Sequence, residues 1–189
     1  MKDIIINDTL YGFRFRRVEP RDKNLVMGVR AETSDAVEFY QRNPEFVDYN
    51  WDLILKDENE VSMVVFQQPD NVFVGTCTFQ GVQEESLELG YDVVKELRGK
   101  GIGTRMVGAL FELAHVYFPE RDIYVRIRKD NLASQCVAEK NGAKFLQIDD
   151  PPEVAALQKL LDENPNLPNA SDAMATIEHG SGSIRVYKV

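Results

Sequence analysis

Between positions 87 and 94 the chain reads Leu87-Glu88-Leu89-Gly90-Tyr91-Asp92-Val93-Val94, alternating apolar and other residues with the period of two expected of a half-buried strand. From 104 to 118 the period lengthens. Met106, Val107, Leu110, Phe111, Ala114, Tyr117 and Phe118 recur three and four residues apart, which predicts a helix with one buried face. The connecting segment, Leu97-Arg98-Gly99-Lys100-Gly101-Ile102-Gly103-Thr104, interleaves glycines with cations. Strand, glycine loop and helix in this order are the sequence signature of an anion site.

The same patterning organises the rest of the chain. Residues 12–18 predict an opening strand with Phe13, Phe15 and Arg17 on one face and Arg14, Arg16 and Val18 on the other. Pro20-Arg21-Asp22 starts a helix, short helices are expected over 24–31 and 34–41, and a third over 45–56. Ser34 and Asp35 are the expected caps of the second. The β-rich runs 61–67 and 72–80 flank Gln68-Pro69-Asp70-Asn71, a turn by composition, and predict a hairpin. Strands are also expected over 123–128 and 184–189. After 145–148, Asp149-Asp150-Pro151-Pro152 breaks the pattern before a helical run at 153–162 and an Asn- and Pro-rich stretch at 163–170. Tyr40, Phe46, Tyr49 and Trp51 stand at roughly helical spacing, which fits core packing and also fits the wall of an amine or peptide pocket.

The loop's chemistry follows from its backbone. The first turn of a helix leaves N–H groups without intrahelical partners at the positive end of the macrodipole, and phosphate oxygens satisfy them. Gly101 and Gly103 lack Cβ atoms and allow a sharp turn and close approach. Arg98, Lys100 and Arg105 add positive charge. A nucleotide triphosphatase loop needs Gly-Lys-Ser/Thr, but Gly103 is followed by Thr104-Arg105. A dinucleotide fingerprint needs glycine or alanine where Met106 stands. Neither pattern is met.

Arg98-Gly99-Lys100-Gly101-Ile102-Gly103 fits a third pattern, Arg/Gln-x-x-Gly-x-Gly. Downstream, Ile123-Tyr124-Val125-Arg126-Ile127-Arg128 reads as a strand and precedes Asn131-Leu132-Ala133-Ser134 and Glu139-Lys140-Asn141-Gly142. On these two motifs the chain resembles the GNAT N-acetyltransferase superfamily, in particular the branch containing ribosomal-protein N-terminal acetyltransferases. The resemblance is strong over residues 61–148 and weak outside them. It implies an α/β (α+β) fold, a mixed, mostly antiparallel central sheet flanked by helices. It also implies that parallel strands 87–94 and 123–128 splay apart to admit the pantetheine arm of acetyl-CoA. Backbone groups near Tyr91 and Val93 would then bond the pantetheine amides, and Gly99, Lys100, Gly101, Ile102, Gly103 and Thr104, with Arg98, the pyrophosphate.

Composition adds bounds. A chain of 189 residues with 43% hydrophobic content suits one domain with a sizeable core, so residues 1–189 are expected to form a single domain with 151–183 inserted before the last strand. That segment could cap the acceptor site, mediate contacts in a homodimer, or fill a surface. No run approaches the roughly 20 apolar residues of a membrane span, and residues 1–10 lack the pattern of a leader. A soluble, cytoplasmic protein is expected. Cys77 and Cys136 suggest no disulfide framework, and His115 and His179 no metal site. A net charge of −9 speaks against nucleic-acid binding. It fits steering of a cationic amine and equally fits ordinary solubility.

The reaction implied is acetyl transfer from a thioester to a primary amine, with three chemical needs. The amine must lose a proton, the thioester carbonyl must be polarised, as a strand N–H near Val93 could do, and the leaving thiolate must be protonated. Glu88, on the strand face of Gly90 and Asp92, is the expected base, with a solvated or ion-paired carboxylate as the alternative. The tyrosine that often serves as acid in the superfamily is replaced by Ala138; Ser134 matches the serine used in the ribosomal-protein branch, and it also fits a hydroxyl that bonds the helix start. Asn131 fits both a pantetheine contact and an N-cap, and Gly142 a helix C-cap. Three functions compete: an acetyltransferase acting on a protein N-terminus, one acting on a small amine (polyamine, amino sugar or amino acid derivative), and a non-catalytic acyl-CoA-binding module.

Overall fold

The computed structural model describes residues 6–34, 36–149 and 183–189. The eight strands among the described residues make a mixed, mostly antiparallel sheet flanked by helices, the architecture expected from the motifs. The chain divides into two compact units, one running through Tyr124 with Val189 added, the other from Val125 to Lys188.

In the first unit, β1 (Asn7–Leu10), β2 (Phe13–Arg17), β3 (Glu60–Gln67), β4 (Val72–Gln80) and β5 (Ser86–Val93) follow one another as antiparallel neighbours. The start of β6 (Asp122–Arg128) pairs parallel to β5. A short 3-10 turn, Pro20–Asp22, leads directly into α1 (Lys23–Thr33), followed by α2 (Val37–Arg42) and α3 (Pro44–Lys56). The glycine loop opens α4 (Ile102–Tyr117). β1 escapes the pattern of alternation because Asn7, Asp8 and Thr9 are all polar, with Asn7 and Thr9 exposed and Asp8 half-buried; its pairing to β2 is created by the tight turn at Tyr11 and Gly12, both at positive φ.

The register gives the sheet two chemically different faces, because cross-strand partners share a side. Val61, Phe79 and Leu89 align in one row, and Met63, Cys77 and Tyr91 in the next. Phe79 meets Phe118 edge-on, 5.5 Å between ring centroids, and a Cβ at Gly103 would stand 3.3 Å from Val93 Cγ2, so α4 covers this apolar side. On the opposite side Val64 packs with Val26, Met27, Trp51 and Ile54 of α1 and α3. The aromatic group is therefore divided. Trp51 is core and Tyr40 packs against it, whereas Phe46 and Tyr49 are exposed.

Ser34 does not cap α2. It ends α1, its amide and hydroxyl both donating to Arg30 O at 3.0 and 2.7 Å, because its φ of −89° and ψ of 2° continue the helix's last turn. Asp35 lies outside the described residues. At the other end of α1, Asp22 is buried and takes a two-pronged hydrogen bond from Arg16 at 2.9 and 2.8 Å, plus the Glu19 amide at 2.7 Å. Burial raises the cost of its charge, but these hydrogen bonds and the Arg16 and Arg21 charges outweigh it and hold the carboxyl below the usual range. A depressed carboxyl stabilises the fold fully above its unfolded value near 4 and loses that contribution as pH falls through the folded value. Asp22→Asn, which strands Arg16, is expected to lower stability at pH 7 by about 3 kcal/mol and to flatten the acid limb of stability against pH in urea titrations.

The second unit holds the rest of β6, α5 (Leu132–Lys140), β7 (Lys144–Asp149) and β8 (Ile184–Lys188), the last two antiparallel. α5 ends as the sequence predicts: Gly142, φ +91°, donates to Glu139 O, and Ala143 to Ala138 O, the paired bonds of a glycine-terminated helix. The predicted helix at 153–162 and the stretch 163–170 lie outside the described residues. Among the described residues no helix is long and apolar enough to cross a membrane, and both cysteines are free thiols.

Candidate active site

β5 carries most of the site in the first unit. Its pairing with β6 runs from Ser86↔Asp122 to Glu88↔Tyr124, whereas that with β4 continues to Val93. Val94 N–H donates to Val74 O at 3.0 Å. Because successive peptide groups of a strand point to opposite edges, the N–H and C=O groups of Tyr91 and Val93 face the edge away from β4. That is the edge predicted to meet the pantetheine.

Glu88, Gly90 and Asp92 lie on the sheet face toward α1, opposite Gln80, Thr78 and Thr76 of β4. One strand further, Glu60 and Ser62 align with Gln80 and Thr78. Glu60 gathers this floor, accepting from Ser62 Oγ at 2.6 Å and Gln80 Nε2 at 3.2 Å and lying 3.7 Å from Arg30 of α1. Gln80, the cross-strand neighbour of Glu88, is thereby held in place. Burial pushes the Asp92 carboxyl up, against the pull of a Thr33 hydrogen bond and the Arg30 and Arg98 charges. Sequence reasoning placed Asp92 beside Glu88 but gave it no role; the signal was the two-residue period itself. Thr76, Thr78, Gln80 and Glu60 join the site only through strand register.

The glycine loop has the geometry of a phosphate cradle. Gly99 and Gly101 sit at φ +73° and +75°, and a Cβ on either would meet nothing within 4 Å. They serve backbone conformation and leave open space at the loop. Gly101 is the N-cap of α4 and supplies no side-chain cap to the first turn, so Ile102, Gly103 and Thr104 form a helix N-terminus suited to an anion. Lys100 is exposed beside it. Arg105 instead stacks on Phe13, 5.2 Å from the ring centroid. Arg98 is turned toward β5, its Nε donating to Val93 O at 2.9 Å. These residues fit a phosphate-bearing group such as acetyl-CoA. Gly101→Ala, which must hold a left-handed conformation at a cost of roughly 1–2 kcal/mol, is expected to weaken coenzyme A binding on the order of tenfold by calorimetry without exposing the core.

Asn131 and Ser134 belong to the second unit. Asn131 caps α5, its Oδ1 accepting from Ser134 N at 3.1 Å, which realises the structural half of its expected roles. Ala138 is fully buried, so the position of the superfamily's tyrosine is occupied by packing.

The profile of the acetyltransferase (GNAT) domain matches residues 13–144. The chain belongs to the GNAT acetyltransferase family. Its solved structural relatives share the GNAT fold at low identity. RimL, a ribosomal-protein alpha-N-acetyltransferase solved in complex with coenzyme A, aligns over 97% of both chains with a TM-score of 0.64 at 14% identity. A SpeG spermidine N-acetyltransferase variant from Vibrio cholerae aligns over 95% of this chain and 94% of its own, TM-score 0.63, 11% identity. A GNAT-family acetyltransferase from Bacillus anthracis aligns over 97% and 98%, TM-score 0.64, 16% identity. Among curated protein sequences none matches significantly. The GNAT fold accounts for the pairing of a phosphate-type loop with a short parallel ladder in the first unit.

Proposed function

We propose that this chain is an acetyl-CoA-dependent N-acetyltransferase whose acceptor is a primary amine, with a protein N-terminus as the leading class. The observation that carries the reading is the placement on one strand, β5, of a carboxylate face and of the terminus from which the glycine loop and α4 begin. The protein class is supported by the Asn131, Ala133 and Ser134 motif of the ribosomal-protein branch. A small cationic amine is the second reading, supported by the carboxylates Glu60, Glu88 and Asp92 on one sheet face and by the net charge of −9.

Acetyl-CoA supplies the acyl group as a thioester. Glu88 removes the proton that an ammonium acceptor must lose before its lone pair can attack. The Val93 N–H donates to the carbonyl oxygen as negative charge develops there. As the C–S bond breaks, Ser134 Oγ–H relays a proton to the departing sulfur and takes its replacement from solvent water. Gly99 to Thr104 and Lys100 hold the pyrophosphate, and Tyr91 and Asn131 bond the pantetheine.

The test is free-thiol release from acetyl-CoA across N-terminal peptides, polyamines, amino sugars and amino acids, with acceptor-free controls. Release that depends on a peptide N-terminus supports the leading reading, and release with polyamines alone replaces it with the second. Binding of acetyl-CoA with silence across the panel would favour a non-catalytic binding module.

A further inference from the structure

We infer that Arg98 is a positioning residue that acts through the Val93 peptide, rather than a ligand of the phosphates; its catalytic consequence rests on the acetyl transfer proposed above. Arg98 Nε donates to Val93 O at 2.9 Å, and Val94 N–H donates to Val74 O at 3.0 Å. These are the two ends of a single planar peptide group. The last peptide of β5 is therefore clamped from both sides, by a guanidinium on one edge and by β4 on the other. With the Val93–Val94 peptide held, the Asp92–Val93 peptide, which carries the Val93 N–H, can turn only about the two bonds of the Val93 Cα, so the clamp restrains the direction in which that N–H leaves the outer edge of the strand. The contact on Val93 O is charge-assisted, the stronger kind of hydrogen bond.

The second arm of the fork, Arg98 Nη2, reaches Thr33 Oγ1 at 3.5 Å, while Lys95 N–H donates to Glu32 Oε2 at 3.3 Å. The end of α1 thus braces the segment between β5 and the loop. Immediately beyond Arg98, Gly99 and Gly101 occupy positive φ with open space around them, so backbone freedom begins where the clamp ends. Lysine keeps the charge but lacks a planar fork that serves two acceptors. Arg98→Lys therefore separates charge from clamping.

The experiment uses the full chain, labelled so that the Val93 carbonyl and Val94 amide resonances are resolved, together with calorimetric coenzyme A binding and thiol release. In Arg98→Lys both resonances are expected to move and coenzyme A affinity to stay within about twofold, with kcat falling on the order of tenfold to a hundredfold. Should Arg98→Lys not fold, Thr33→Val, which removes the outer brace together with the Thr33 hydrogen bonds to Asp92 and Val29 O, is expected to shift the same resonances with a smaller loss of kcat, and Thr33→Ser, which keeps the hydroxyl, to leave them in place. Unmoved resonances, or coenzyme A affinity reduced tenfold with kcat unchanged, overturn the assignment in favour of a phosphate ligand. If no acceptor supports turnover, the acetyl-transfer reading fails, and the resonances with the coenzyme A affinity still decide whether Arg98 clamps the peptide.

Discussion

Gly75→Ala is expected to separate β4 from β5 at the end of their ladder and to cost on the order of 3 kcal/mol. A Cβ at Gly75 would stand 2.0 Å from the Asp92 carbonyl oxygen and 3.1 Å from the Val93 Cα. Both are backbone atoms, so no rotamer change relieves the overlap. Gly75 also sits where the β3–β4 register slips, between Val65↔Gly75 and Phe66↔Phe73, the kind of bulge that bends a strand. The strand must move, and with it the peptide groups of Asp92 and Val93. Urea denaturation measures the stability loss. Gly90→Ala is the control: its Cβ would meet Thr78 Oγ1 at 2.4 Å, a side-chain atom that can turn away for about 0.5–1.5 kcal/mol. If both variants lost the same stability, the backbone clash would not be the cause.

Glu88→Gln is expected to lower kcat/KM for the amine acceptor by about 10² to 10⁴, with coenzyme A affinity unchanged. Glutamine keeps the volume and one acceptor oxygen of the side chain but cannot take up a proton at neutral pH. Glu88 neighbours Gln80 across the strands, and Gln80 is tied to Glu60, so the floor beneath it stays assembled. Raising the pH should partly restore the variant, because more acceptor then arrives as free amine. Ser134→Ala probes the other proton: it should reduce kcat while leaving the alkaline rise of Glu88→Gln in place. A Glu88→Gln enzyme as active as the parent across pH would remove Glu88 from the chemistry and turn attention to Asp92, whose carboxyl is raised by burial on the same face.

How much of the site could be read before the fold depended on whether each residue's role was local. The glycine loop was legible because conformation at Gly99 and Gly101 is a local property: positive φ and a helix start are written in adjacent residues. The α5 termination at Gly142 was legible for the same reason. Ser34 misled because a hydroxyl suits the end of one helix and the start of the next, and the actual turn decides between them. The direction of the Arg98 side chain was not legible, because its hydrogen-bond acceptors, Val93 O and Thr33 Oγ1, lie on other elements.

By itself the sequence determined the order of the described strands and helices from β2 onward, the glycine-rich turn between β5 and α4, and the face of β5 on which Glu88 lies, all consequences of periodicity and backbone preference over a few neighbours. Only the tertiary structure decided that Glu60, Ser62, Thr76, Thr78 and Gln80 join Glu88 and Asp92 in one polar floor, that Trp51 is core while Tyr49 is surface, and that Arg98 holds a strand peptide. Strand register and helix packing bring together residues far apart in the chain, and that pairing is set by burial summed over the fold.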